Sequence, residues 1–514
     1  MKTIEFKDDQ TRERVLRAFK IALRLAELIR ECGDNELRGI EKGLSSSYVE
    51  PGPAGSLTRG RIDILPTGRN FYSIDPRKIP TPAAWRVGVE SANKLLQKFL
   101  ELHGRYPESV GEVLWSIDAY KADGEQISRI LYLLGVRPVW GSDGVVKGIE
   151  VIPLEELGRP RIDVVVRISG IVRDNLPNYI SLIDEAIEKV ITLDEPLEMN
   201  YPKKHYLEFI ERLRELNLPN IDVEELARAR IWCAPPGAYG AGVNYAVFAS
   251  AWKNEDDLAK VWIHWGMYAY TRKRYGVPIP HLLTLQLSRV EVVVRNHVSD
   301  EHDPTNCCGY FAYQGGFHVT TKVVSGKEPL NLVVDTRDSS RPQIRTLSEE
   351  LVRIVYAKLL NPRWIEEMKK HGYRGAAELM KKIVHLYGWQ ATTRAVPDEV
   401  WNRIAEKYVL DEGMRKWFME NNPYAFEELT RRLLEAVERG LWKPDLNVLK
   451  GIQLARMEVE SLLEGEVAGV SVQGGEVSIY TADDVQPWRE RAKPAIEALE
   501  WIKKLRGDVS VSGQ

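Results

Sequence analysis

Three short runs decide the fold: Arg161-Ile-Asp-Val-Val-Val-Arg-Ile168, Arg289-Val-Glu-Val-Val-Val-Arg295 and Leu330-Asn-Leu-Val-Val-Asp335. Each has an unbroken β-branched centre, the pattern of a strand buried on both faces. Working outward, Val110–Trp115 is a further β-type run, and Ala83–Gly104, Gly124–Leu134 and Pro177–Val190 carry apolar residues at helical spacing. Strands that alternate with helices of this length predict βαβ units and a mainly parallel sheet. Beyond Ser348 the chain reads as long helices to about Arg439, opened by the capping signal Thr346-Leu-Ser-Glu-Glu350, with further helical segments at Val448–Glu464 and near Trp488–Arg506. The expected class is therefore α/β, with parallel-sheet βαβ domains and a helix-rich C-terminal region.

The texture along the chain divides it into five stretches: an N-terminal amphipathic helix within 1–45 (periodic over Thr11–Cys32), an α/β domain over 46–200, a helical connector and second α/β domain over 201–345, a helical region over 346–450, and an extension over 451–514 that includes the Gly-rich Val470–Glu476. Gly43–Gly60, with Pro51-Gly52-Pro53, reads as an irregular loop because apolar residues interrupt its turn-formers.

Composition excludes several classes. Lys+Arg of 71 against Asp+Glu of 74 leaves a formal net charge of −3, without the basic excess of a nucleic-acid binder. No apolar run has the length of a membrane span, and Met1–Gln10 is charged where a signal peptide is apolar, so a cytoplasmic chain is expected. The four cysteines include only one close pair, Cys307-Cys308, and neighbouring cysteines form strained disulfides. Gly237-Ala-Tyr-Gly-Ala-Gly242 lacks the Lys-Ser/Thr ending of a phosphate loop, so any ATP must be used by a partner.

In open α/β sheets, sites collect on loops at the carboxyl ends of strands. The loop after Arg289–Arg295 reads Asn296-His297-Val298-Ser299-Asp300-Glu301-His302-Asp303. Imidazoles and carboxylates together suit a borderline divalent ion, so His297, Glu301, His302 and Asp303 are the candidate metal ligands; the alternative is a polar surface turn. Asp335–Arg345 offers Arg337, Arg341 and Arg345 as an anion-binding loop, although ordinary helix capping explains its end equally well. Pro66–Tyr72 presents Arg69 and Asn70 beside a glycine turn, and Arg167 ends its strand at Ser169-Gly170. Trp262, Trp265, Tyr268 and Tyr270 read as packing, and His264, His371 and His385 as structural histidines. The Cys307-Cys308 pair suits a soft metal or a redox response, with inert thiols as the default.

Several strings in collinear order from about Ser46 to Asp445 resemble one family. They include Ile64-Leu-Pro-Thr-Gly-Arg-Asn-Phe-Tyr72, His103-Gly-Arg-Tyr-Pro107, Ile152-Pro-Leu-Glu-Glu-Leu-Gly-Arg-Pro-Arg-Ile-Asp163, Glu301-His-Asp303, Arg345-Thr-Leu-Ser-Glu-Glu350 and Gly388-Trp-Gln-Ala-Thr-Thr393. The chain is similar to the cobaltochelatase and magnesium chelatase large subunits, in a short form matching the family's C-terminal half. The resemblance implies a subunit that holds a tetrapyrrole and a divalent metal while an AAA+ ATPase subunit and a metal-ion-dependent adhesion-type subunit work with it. The cobalt branch reads closer, which implies insertion of cobalt into a corrin precursor of the hydrogenobyrinate a,c-diamide type in cobalamin biosynthesis. Magnesium or nickel insertion into another tetrapyrrole, or non-catalytic ring or metal binding, are the alternatives. On this reading Glu301, His302 and Asp303 are catalytic: His302 delivers the metal, and a carboxylate of the trio accepts a pyrrole proton. Arg69, Asn70, Arg167, Arg341 and Arg345 bind the ring's peripheral groups. Where the family carries an Asp-rich stretch and His-Gly-Gly, this chain has Asn306-Cys307-Cys308-Gly309 and Gln314-Gly315-Gly316, and Val384 stands where an aspartate is usual.

Overall fold

The computed structural model describes residues 8–216, 222–466 and 486–507; Val470–Glu476 lies outside them. Eight strands form one sheet: β1 Ser109–Leu114, β2 Asp163–Ile168, β3 Ile231–Cys233, β4 Tyr268–Tyr270, β5 Tyr275–Pro278, β6 Val290–His297, β7 Leu330–Asp335 and β8 Gln343–Thr346. Their order across the sheet is β8-β7-β6-β1-β2-β3-β4-β5. The central five are parallel, and the antiparallel strands β8, β4 and β5 lie at the two sides.

The β-branched runs fill both faces because successive side chains point in opposite directions. Val292, Val294, Leu332, Val334, Val164 and Val166 meet the layer formed by helices Pro82–His103, Glu125–Leu134 and Pro177–Ile191. Val293, Val333, Val113 and Val165 face the opposite layer, where Trp262, Phe317, Trp389 and Trp401 are buried. The helix signals act as read: Thr81 caps Pro82–His103, and Thr346 with Glu349 forms a complete capping box.

The structure redraws the stretches. β1 and β2 from 46–200 and β3, β6 and β7 from 201–345 share one sheet, so position 200/201 does not separate two sheets. The described parts of the 451–514 stretch join the main core: Ile452, Val459, Leu499 and Ile502 are buried in it, and Trp501 packs 5.3 Å from the His281 ring. The N-terminal helix runs from Asp9 to Leu44, longer than its periodic part, and buries no residue. A hairpin, Val136–Trp140 with Val146–Val151, escaped the sequence reading although Asp143-Gly144 signals it; Gly144 takes the positive φ (74°) that its turn requires.

Candidate active site at the strand switch

From β1 the chain proceeds to β2 and β3 on one side, whereas β6 and β7 lie on the other. The order reverses between β1 and β6, and the carboxyl ends of these two strands open the crevice where ligands bind in open sheets. Trp115 and Ser116–Lys121 leave β1 here, and the Val298–Gly309 loop leaves β6.

Buried charge pairs fix the floor. Arg295 in β6 donates to Asp118 at 3.0 and 2.9 Å, and its guanidinium lies 3.6 Å from the Tyr310 ring centre and 5.2 Å from that of Trp115. Arg129 makes a bidentate pair with Glu112 at 2.7 and 2.6 Å, and a third contact with Asn296. A strap from the N-terminal loop crosses the crevice: Arg59 donates to the carbonyls of Val298 and Thr336 and pairs with Glu125. A cavity of about 130 Å³ under the strap is lined by Ser56, Arg59, Tyr120, Lys121, Asp123 and Glu125.

The candidate ligands separate into two pairs. Glu301 and His302 face the crevice mouth. The Glu301 carboxylate accepts from Ser56 (3.0 Å), Thr58 (2.9 Å) and Lys121. Burial works against its charge, but the Lys121, Thr58 and Ser56 bonds outweigh it and hold the carboxyl below its ordinary range. His302 is exposed, and no hydrogen bond to a described residue engages its ring. Partial burial, then the Lys121 charge, push its pKa down and favour the neutral imidazole with a free lone pair.

His297 and Asp303 are sealed away, which corrects the expectation for both as ligands. His297 is 2% exposed; Nδ1 meets Glu350 at 2.6 Å and Nε2 meets the Ser299 carbonyl at 3.0 Å. Both ring nitrogens are thus taken up by these partners, and neither is free for a metal. Asp303 is fully buried between Lys358 and Lys382 (3.2 Å) and accepts from the Thr305 amide at 2.7 Å. Burial opposes its ionisation, but the two ammonium groups prevail and hold the carboxyl far below the usual range, so it is no proton acceptor. Among the described residues no group of three or more His, Cys, Asp or Glu side chains is placed to hold a metal ion.

The helix Gly372–Thr393 explains why Asp303 is fixed. Lys382, His385 and Trp389 project from one helical face onto residues 303–306. Lys382 also reaches Thr305 at 3.1 Å and Asn306, His385 Nδ1 donates to the Thr305 carbonyl at 2.7 Å, and Trp389 Nε1 donates to the Pro304 carbonyl at 2.9 Å. Burial pushes His385 down to about 4. Its folded pKa lies below the ordinary value of about 6.5, so its contribution to stability is complete above pH 6.5 and falls as the pH drops towards 4, by about 3 kcal/mol. His385→Gln keeps a donor for Thr305 and should flatten the pH dependence of the urea midpoint across that window; an unchanged slope would exclude His385 as its source.

The other site candidates also divide. Arg341 is exposed and forms no ion pair with a described residue; it lines a cleft of about 300 Å³ with Asp335, Arg337 and Arg345. Arg345 is committed to Asp335 and Gln343, which leaves it a supporting role in that cleft. Asn70 is structural: its amide donates to the Pro53 and Ile64 carbonyls at 2.7 and 3.0 Å and closes the strap. Arg69 is half-buried beside Glu50, on the strap and outside the hydrogen bonds that cross the crevice. Arg167 is fully buried, between Trp262 and Tyr313, and donates to the Gly240 and Trp265 carbonyls at 3.3 Å. It therefore braces the Gly-rich loop and has no surface for a ring. The residues missed from sequence are Arg59, Trp115, Asp118, Lys121 and Lys382. Lys121 was within reach of the carboxyl-end rule, since it follows β1 as His302 follows β6.

The chain matches the family model described as CobN/Magnesium Chelatase over residues 2–449. It is 38% identical over 438 residues to the aerobic cobaltochelatase subunit CobN of Pseudomonas aeruginosa, covering 85% of this chain and 35% of that protein. It is 36% identical over 436 residues to the chloroplastic magnesium-chelatase subunit ChlH of Oryza sativa subsp. indica, covering 84% and 31%. The solved catalytic subunit of cobaltochelatase from Mycobacterium tuberculosis superposes with a TM-score of 0.79 at 37% identity, over 83% of this chain and 36% of that one. The chain thus spans about a third of the length of the relatives it matches.

Proposed function

Because the chain belongs to the CobN/magnesium chelatase family, we propose that it carries the metal-handling crevice of a chelatase large subunit, which inserts cobalt into a corrin precursor. The observation that carries this reading is the pairing, at the strand switch, of the exposed His302 ring, which makes no hydrogen bond to a described residue, with a Glu301 carboxylate held by Ser56, Thr58 and Lys121. Insertion of a divalent ion releases two pyrrole protons. His302 offers the lone pair that receives the ion or one of those protons. Glu301, whose oxygens are occupied by Lys121, Thr58 and Ser56, supplies negative charge beside the incoming cation and is less suited than His302 to serve as the base. The proton acceptor assigned from sequence to a carboxylate therefore passes to His302.

The cavity under the strap is far smaller than a tetrapyrrole needs, so the ring rests over the crevice mouth with Arg341 available for an acidic substituent. Imidazole is a borderline donor that suits cobalt and nickel, whereas magnesium demands oxygen ligands; the Asn306–Gly309 stretch contributes no carboxylate. This favours cobalt or nickel over magnesium, and between those two the cobaltochelatase relatives support cobalt. ATP hydrolysis falls to an AAA+ ATPase subunit, acting with a metal-ion-dependent adhesion-type subunit, on the cytoplasmic side. None of the described helices is long and apolar enough to cross a membrane.

The test is ring metallation by the purified chain with its ATPase partners, ATP and competing cobalt, nickel and magnesium, followed by absorbance. Cobalt should be inserted ahead of magnesium; preferential magnesium insertion would overturn the metal assignment. A second reading, a non-catalytic ring- or metal-binding protein, draws on the lack of a ready-made three-ligand cluster among the described residues. It predicts ring binding by absorbance titration without metallation under any partner.

A further inference from the structure

Cys307 and Cys308 occupy the point where the β6 loop enters the helix Cys308–Ser325, a helix continuous through a π-turn at Phe311–Gly315. Both thiols are free; Cys307 is exposed and Cys308 half-buried. The two residues are chain neighbours and each thiol acts directly on the other's ionisation, which places their sulfurs near each other. Each sulfur also accepts an N–H: Cys307 from the Gly309 amide at 3.4 Å, and Cys308 from Asn244 at 3.6 Å. The Cys308 thiol and then the Gly309 amide push the Cys307 thiol well below its ordinary value, while donation to Cys307 pushes Cys308 up.

Trp115 forms one wall. A Cβ on Gly309 would stand 2.6 Å from its ring, so only glycine lets the indole approach the thiol pair this closely. The base of the loop is rigid: Tyr310 donates to the His302 carbonyl at 2.8 Å, and Lys382, His385 and Trp389 clamp residues 303–306. The thiol pair and His302 therefore stand on one braced loop at one crevice.

Two chemistries compete for such a pair. A disulfide between chain neighbours is strained, which disfavours redox closure. Coordination needs no S–S bond: two sulfurs about 3.8 Å apart bind one tetrahedral ion at Zn–S lengths of about 2.3 Å.

We propose that Cys307 and Cys308 form a two-sulfur seat for a thiophilic divalent cation, of the cobalt, nickel or zinc class and not magnesium, at the crevice mouth. As the ion binds, each S–H bond breaks, each sulfur forms a bond to the metal, and two protons pass to solvent. Two sulfurs leave two positions of a tetrahedral ion for water or another donor, which suits transfer more than storage. The seat exists independently of the insertion reading; only its use in staging the metal rests on that reading.

The test is cobalt titration of the whole chain, without tetrapyrrole, partners or ATP. Thiolate-to-cobalt charge-transfer absorption should appear and saturate at one ion per chain, undisturbed by a large excess of magnesium. Cys307→Ser and Cys308→Ser should each remove most of that absorption at the cobalt concentration that half-saturates the wild type, because binding weakens roughly tenfold or more, the scale on which site residues act. Cys307 is exposed, so its variant should keep the wild-type melting temperature. Cobalt binding without the thiolate signature, or a signature that survives both single substitutions, would overturn the proposal. A chain that shows the signature but metallates no ring keeps the seat and loses the insertion reading; metallation without the signature does the reverse.

Discussion

Arg295→Met should lower the unfolding free energy by about 3–5 kcal/mol. Arg295 is 2% exposed and Asp118 3%, and the pair is sealed further by Tyr310 and Trp115. Burial already pushes the Asp118 pKa up, and the Arg295 charge is the chief influence opposing it. Removing the guanidinium strands a carboxylate in an apolar floor, and that stranded charge makes up most of the cost. The double variant Arg295→Met/Asp118→Leu should therefore recover most of the loss, because replacing both members of a buried pair with apolar groups is often neutral. Urea midpoints of the three proteins decide the matter. A double variant as unstable as the single would place the cost in lost packing against Tyr310 instead.

Trp389→Ala is expected to cost about 3–5 kcal/mol through the cavity it leaves. The indole is fully buried and also donates to the Pro304 carbonyl at 2.9 Å, so the loss reaches the site loop. Trp389→Phe retains much of the volume but not the donor, and should cost about 1–3 kcal/mol, the desolvation cost of a carbonyl left without its partner. Hydrogen exchange of the Thr305 amide, which is bonded to Asp303, reports the local effect separately from global unfolding. Faster exchange in Trp389→Phe, beyond what its loss of global stability accounts for, is the predicted signature. Equal protection in both proteins would mean that Lys382 and His385 hold the loop unaided.

Much of this architecture was readable in the chain, for physical reasons. β2, β6 and β7 announce themselves because a strand buried on both faces carries a near-continuous apolar run, and β1 shows a shorter β-type run around Glu112. β3 spans only Ile231–Cys233, and β4, β5 and β8 are short antiparallel additions, too brief for periodicity to register. At the site, the carboxyl-end rule pointed to the loop after β6 but could not sort its members. His297 is the last residue of β6, and its ring meets Glu350 in a helix 53 positions later. Asp303 is taken by Lys382, 79 positions away. Such pairings belong to the tertiary fold, and closeness in sequence hides that Glu301 and His302 face out while His297 and Asp303 face in. The same holds for the arginines: Arg59 crosses the crevice, whereas Arg167 is buried as a brace.

The central claim is that metal is handled at His302 and Glu301, over the switch between β1 and β6. Its most direct test is the metallation rate of the partnered complex with His302→Ala, compared with wild type under saturating tetrapyrrole, cobalt and ATP. His302 is exposed and its ring engages no described residue by hydrogen bond, so the variant should fold and bind the ring normally. The account predicts that its cobalt insertion falls by roughly a hundredfold or more, the scale on which a positioned base acts. Wild-type turnover in His302→Ala would contradict the account and move the chemistry elsewhere on the molecule.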